Sequence, residues 1–100
     1  MQLITTELEE TIPMLYATED IKLEDKRVYA KLFTPDTDWT WYIMELSIEE
    51  RICFAMTQND SCMEIGYTSI DELESIKGPL GLGVERDLGF TACKYSELKL

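Results

Sequence analysis

Histidine is absent from the 100-residue chain. That absence excludes Ser-His and Cys-His nucleophile pairs, His-ligated zinc and an imidazole base working near pH 7. Basic residues are scarce too: nine Lys+Arg stand against 20 Asp+Glu, a formal net charge of −11. Affinity for nucleic acid is built mainly from Lys and Arg displacing counterions, so no direct nucleic-acid binding is expected. The three cysteines, Cys53, Cys62 and Cys93, are an odd set without CxxC spacing, neither a disulfide framework nor a four-ligand zinc site. Cys53 and Cys93 are expected to be small core residues with reduced thiols, a Cys53–Cys62 bridge across a hairpin being the alternative. No apolar run approaches the roughly 18 residues of a membrane span. Residues 1–7 lack the basic and apolar regions of a signal peptide. Together these absences predict a cytoplasmic protein with no membrane attachment.

What is present points to a folded domain. Apolar residues make up 45% of the chain, enough for a core, and the length suits one domain over residues 1–100. Thr6 with Glu9 fits a capping box, and Leu8 with Ile12 gives an i, i+4 apolar pair, predicting a short helix that ends before Pro13. Residues 17–27 are mostly charged and read as an exposed, mobile loop. Residues 28–33 read as a strand with Val28, Ala30 and Leu32 on one face. A Thr34-Pro35-Asp36 turn leads to a second strand over 39–46, where Trp39, Trp41 and Ile43 alternate with Thr40, Tyr42 and Met44. Two further strands over 51–58 and 62–68 follow, the first aligning Ile52, Phe54 and Met56, the second Met63, Ile65 and Tyr67. Links this short require antiparallel neighbours. Ser69 and Glu72 open a second helix carrying Ile70, Leu73 and Ile76 inward, with Gly78 as its left-handed stop. A last strand is expected near 88–94. The pattern predicts an α+β domain: an antiparallel sheet of about five strands, a meander, with two short helices.

Few constellations point to chemistry. The 78–83 segment, Gly-Pro-Leu-Gly-Leu-Gly, lacks the Lys-Ser/Thr of a P-loop and follows a helix, the reverse of the phosphate-binding order. Asp36-x-Asp38 is two carboxylates where a hard cation wants six or more oxygens, so it reads as a solvated turn. Arg86, between Glu85 and Asp87, suits an internal ion-pair hub or a bidentate contact to a partner. Trp39, Trp41 and Tyr42 pack in the core or form an aromatic contact platform. No catalytic residue, metal site or cofactor is predicted. The acidity is concentrated in the first half, net −8 over residues 1–50 against −3 over 51–100. Such an excess keeps a chain dissolved, or steers it toward a basic surface that normally holds phosphates.

Two segments carry a resemblance. They are Phe33-Thr34-Pro35-Asp36-x-x-Trp39-Thr40-Trp41-Tyr42 and Glu72-Leu73-Glu74-x-x-x-Gly78-Pro79-Leu80-Gly81-Leu82-x-x-Glu85-Arg86-Asp87, with Gly66-Tyr67-x-Ser69 between them. The chain resembles a family of small proteins labelled only as a domain of unknown function, common on plasmids, conjugative elements and phages. That resemblance implies a mobile-element setting and supplies no catalytic residues. The expectation is therefore a non-enzymatic inhibitor of a host defence nuclease, anti-CRISPR or anti-restriction, that binds a basic protein partner in the manner of a nucleic-acid mimic. Its candidate partner-binding residues are Glu7, Glu9, Glu10, Asp36, Asp38, Trp39, Tyr42 and Arg86. The alternative is an accessory module of plasmid or phage replication or transfer machinery that makes its contacts through residues 78–87. A small hydrolase using acidic residues and a divalent ion is a third, weaker reading.

Overall fold

A sheet whose central strand is covered on both faces has no use for alternation, and the 41–46 run Trp-Tyr-Ile-Met-Glu-Leu is apolar but for one residue. In the computed structural model, which describes residues 2–98, this run forms the middle of β3 (Thr40–Ser47) and is buried from end to end. β2 (Ala30–Phe33), β3, β4 (Ile52–Gln58) and β5 (Met63–Ser69) form an antiparallel meander. A two-residue strand, β6 (Glu85–Arg86), returns to pair with β2, giving the order β5-β4-β3-β2-β6. With the helices α1 (Thr6–Thr11) and α2 (Ile70–Ser75), this is the expected α+β architecture of five antiparallel strands and two short helices.

Each face of the sheet has its own core. Leu32, Ile43, Cys53 and Ala55 meet Leu3, Ile12, Ile70 and Leu73 from the N-terminal segment and the helices. On the opposite face Val28, Tyr42, Met44 and Met56 are covered by Leu23, Phe90, Tyr95 and Leu98. A bulge between Ile43 and Glu45 resets the alternation, so that Glu45 pairs with Phe54 while Leu46 returns to the first core.

Several local expectations change. Thr5, not Thr6, caps α1: its hydroxyl accepts from the Leu8 N–H at 3.2 Å. The cap lies where the backbone is still extended, one residue before the helical turn begins. Residues 28–33 are not one strand. β1 (Arg27–Val28) leaves the sheet to pair with β7 (Cys93–Lys94), so Val28 enters the second core while Ala30 and Leu32 line the first. The strand expected near 88–94 is reduced to β7, and β6 forms ahead of it, because Asp87 turns the chain: its carboxylate accepts from Gly89 N–H, and its carbonyl from Phe90 N–H. α2 is capped by Ser69 as expected but ends at Ser75, and the left-handed glycine is Gly81 (φ 78°) rather than Gly78. The 17–27 loop is exposed for most of its length, yet Lys26 within it is buried.

Candidate interaction surface

Glu7, Glu9 and Glu10 stand exposed on α1. The first core seats the helix through Ile12 and Leu8, leaving the carboxylates toward water. Glu9 lines a small cleft together with Arg51 and Glu74, and an adjoining one with Glu49. Arg51 closes the β3–β4 turn in a left-handed conformation (φ 53°) and donates to Asp71 at 2.7 Å and to Glu74 at 2.5 Å. Those two carboxylates raise the pKa of the guanidinium, Asp71 most. Helix α1, the β3–β4 turn and helix α2 thus bring Glu9, Asp71 and Glu74 to one base, with Glu49 in the adjoining cleft. Elsewhere among the described residues the ion pair is Lys31 with Asp87, at 3.7 Å. Most acids among the described residues are exposed to solvent.

The second acidic group lies at the opposite ends of the strands. Asp38 accepts from the Asp60 N–H at 2.9 Å, joining the β2–β3 and β4–β5 turns. That bond holds the Asp38 carboxyl below its ordinary value, and the Asp38 charge pushes Asp60 up. Asp36 turns the other way and accepts from the Leu80 N–H at 2.8 Å. A Cβ on Gly78 would sit 1.7 Å from Asp36 Oδ1, so glycine at 78 is what lets the carboxylate enter the loop. The two segments that carry the sequence resemblance are therefore one structural unit, a hairpin tip clamped onto a glycine loop.

The remaining candidates divide. Trp39 is 37% exposed and stacks on buried Trp41 with ring centroids 6.2 Å apart. It borders an open cleft of about 330 Å³ with Lys31, Asp38 and Asp87. Tyr42 is 7% exposed and packs near Phe90, so its ring is a core group. Burial pushes the Tyr42 hydroxyl pKa up, with the Asp87 charge adding to it. Arg86 donates to the Gln2 carbonyl at 2.6 Å and to the Leu3 carbonyl at 3.1 Å, tying the N-terminal segment to β6. The structure thus separates Glu7, Glu9 and Glu10 from Asp36, Asp38 and Trp39, and uses Arg86 as a fastener.

A family model described as a protein of unknown function, DUF2958, matches residues 3–97. The chain belongs to the DUF2958 family. No curated protein and no solved structure matches it.

In this DUF2958 chain an exposed apolar stripe lies outside the residues expected to bind a partner. Met63, Ile65 and Tyr67 project from one face of β5 and are 51%, 45% and 54% exposed. Their shared face is legible in the alternation, but that β5 ends the sheet is not. Tyr16 joins them: its ring centroid lies 5.8 Å from that of Tyr67, and its backbone is left-handed (φ 70°). Buried Glu45 holds that turn, one carboxylate oxygen accepting from Tyr16 N–H at 2.8 Å, the other from the Thr18 N–H at 3.1 Å and the Thr18 hydroxyl. Lys26 Nζ donates to the carbonyl and hydroxyl of the same threonine. A lone acid inside the apolar 41–46 run was the available signal. The three thiols are free, Cys53 buried and Cys62 exposed; Cys93 is partly covered rather than fully in the core. Among the described residues no three His, Cys, Asp or Glu side chains gather closely enough to hold a metal ion. Among the described residues no helix is long and apolar enough to cross a membrane.

Proposed function

We propose that this DUF2958 protein is a non-enzymatic, protein-binding domain that docks a carboxylate-rich end onto a basic partner. The observation that carries the reading is the gathering of Glu9, Asp71 and Glu74 at Arg51, with Glu49 in the adjoining cleft and Glu7 and Glu10 on the same helix as Glu9. Charges grouped within a Debye length of about 8 Å reinforce one another's field, which draws in a basic surface and speeds encounter. In its specific form the partner is a host defence nuclease or nucleic-acid-binding effector. The chain, carried on a mobile element, inhibits it by occupying a site built for phosphates.

Binding to a purified partner recovered by pull-down tests this over roughly 50 to 500 mM salt. Affinity should fall steeply across that range, and the partner should be basic. Salt-independent binding to an acidic protein would overturn the reading.

One observation favours the accessory-module reading. Leu80 and Leu88 are exposed at 78% and 73% in or beside the glycine loop, apolar side chains set on a segment that Asp36 holds in place. A module working through residues 78–87 would bind through Leu80, with Leu88 just beyond it, and salt would weaken it little.

A further inference from the structure

We propose that the outer edge of β5 is a docking site for an extended segment of another protein in which apolar residues alternate with Lys or Arg, and which adds to the sheet as a sixth strand. β5 ends the five-stranded order on one side, and with seven residues it is far longer than β6 at the other edge. The bonding phase is set at both ends of the β4–β5 hairpin: Asn59 N–H donates to the Cys62 carbonyl at 3.0 Å, and Ile70 N–H to the Arg51 carbonyl at 2.8 Å. Antiparallel bonding alternates residue by residue, so Glu64, Gly66 and Thr68 turn their backbone groups toward β4. Met63, Ile65 and Tyr67 turn theirs outward. The residues with outward backbone groups are thus the ones with exposed apolar side chains, which is what strand addition uses: main-chain bonds for affinity, alternate side chains for specificity.

The edge carries little of the protection that strands of this kind usually have. β5 contains no proline and no lysine, and its one charge is Glu64. Tyr16 is held against Tyr67 by a left-handed backbone, itself fixed by Glu45, so the aromatic border of the stripe is pre-ordered. The charges decide the occupant. Glu64 lies in the strand and Asp60 in the turn before it. Lys26 Nζ sits 5.8 Å from the Phe54 ring but is committed to Thr18. A second copy of this chain would bring another −11 to the same edge, whereas a basic strand is drawn in. The inference uses a different surface from the acid-rich end and stands apart from the proposed function.

A synthetic seven-residue peptide alternating lysine and valine is the probe, with amide hydrogen exchange as the readout. On saturation the amides of Met63, Ile65 and Tyr67 should slow by about tenfold or more, while those of Glu64, Gly66 and Thr68 are already protected. Ile65→Pro removes an outward donor without touching the β4 ladder, and should abolish the effect. Should that variant fail to fold, Ile65→Lys keeps the backbone intact and should weaken the peptide about tenfold through like-charge repulsion. The Glu7→Gln, Glu9→Gln, Glu10→Gln triple variant should keep the same protection pattern. Unchanged exchange at the three outward amides would overturn the proposal. So would equal binding of a glutamate–valine peptide, or a free chain that sediments as a dimer with those amides already protected.

Discussion

Replacing Glu45 by glutamine should destabilise the protein by about 3 kcal/mol, a figure that follows from the donors it serves. Tyr16 N–H, Thr18 N–H and the Thr18 hydroxyl converge on its two oxygens, and the side chain is 3% exposed. Glutamine keeps one acceptor oxygen and puts an amide NH2 where the other stood. At least one donor then loses its acceptor, which costs about 1–3 kcal/mol. Where the lost oxygen is the one shared by the Thr18 N–H and hydroxyl, two donors are affected and the loss reaches about 3 kcal/mol; the strain of the left-handed Tyr16 is common to both chains. Urea unfolding measures the sum, with an unchanged slope showing that the unfolded reference is the same. Adding Tyr16→Gly to the glutamine variant should recover about 1 kcal/mol, since glycine adopts that conformation without strain. A loss below about 1 kcal/mol for Glu45→Gln would refute the reasoning, because the turn would then be held by something else.

Gly78→Ala should displace the Asp36 carboxylate and break its bond to Leu80, a loss of about 2 kcal/mol by urea unfolding, and should cost almost nothing further once Asp36→Ala is present. Additive effects would mean that the two residues do not meet. Burial pushes the Cys53 thiol up to about 12, above its ordinary value, so the folded state holds this proton longer than the unfolded one. That stabilisation is complete below the unfolded thiol's pKa near 9. It is lost as pH rises toward 12, at about 1.4 kcal/mol per unit, a slope that equilibrium unfolding between pH 8 and 11 should show. At pH 8 a thiol reagent should label exposed Cys62 quickly and leave Cys53 unmodified until the chain unfolds. For Asp38→Asn, an NMR titration should find the Asp60 carboxyl moved down toward its ordinary value, because the charge that raises it is gone.

The meander was legible because turns at Pro35-Asp36, Glu49-Glu50 and Asp60-Ser61 are too short for anything but antiparallel returns. The break at Tyr29 was not, since nothing local to Val28 shows that a segment 65 residues away will claim it as a partner. Tyr42 looked like a candidate anchor because alternation alone places it opposite Trp41; burial of both sheet faces removes the distinction between inner and outer face. Glycine 78 was read for its own dihedral angle, whereas the constraint comes from Asp36, 42 residues earlier. The acids of α1 were visible in the composition, but their meeting with Glu49, Asp71 and Glu74 depends on tertiary packing that brings both helices to one turn.

The most direct test of the acid-rich end is the association rate with the recovered partner, measured for the Glu7→Gln, Glu9→Gln, Glu10→Gln variant beside Leu80→Ser, Leu88→Ser. The account predicts that the first variant associates about tenfold more slowly at low salt, converging with the parent chain at high salt, while the second is unchanged. A normal rate for the glutamine variant, with binding lost in the serine variant, would contradict it and place the interaction at the glycine loop.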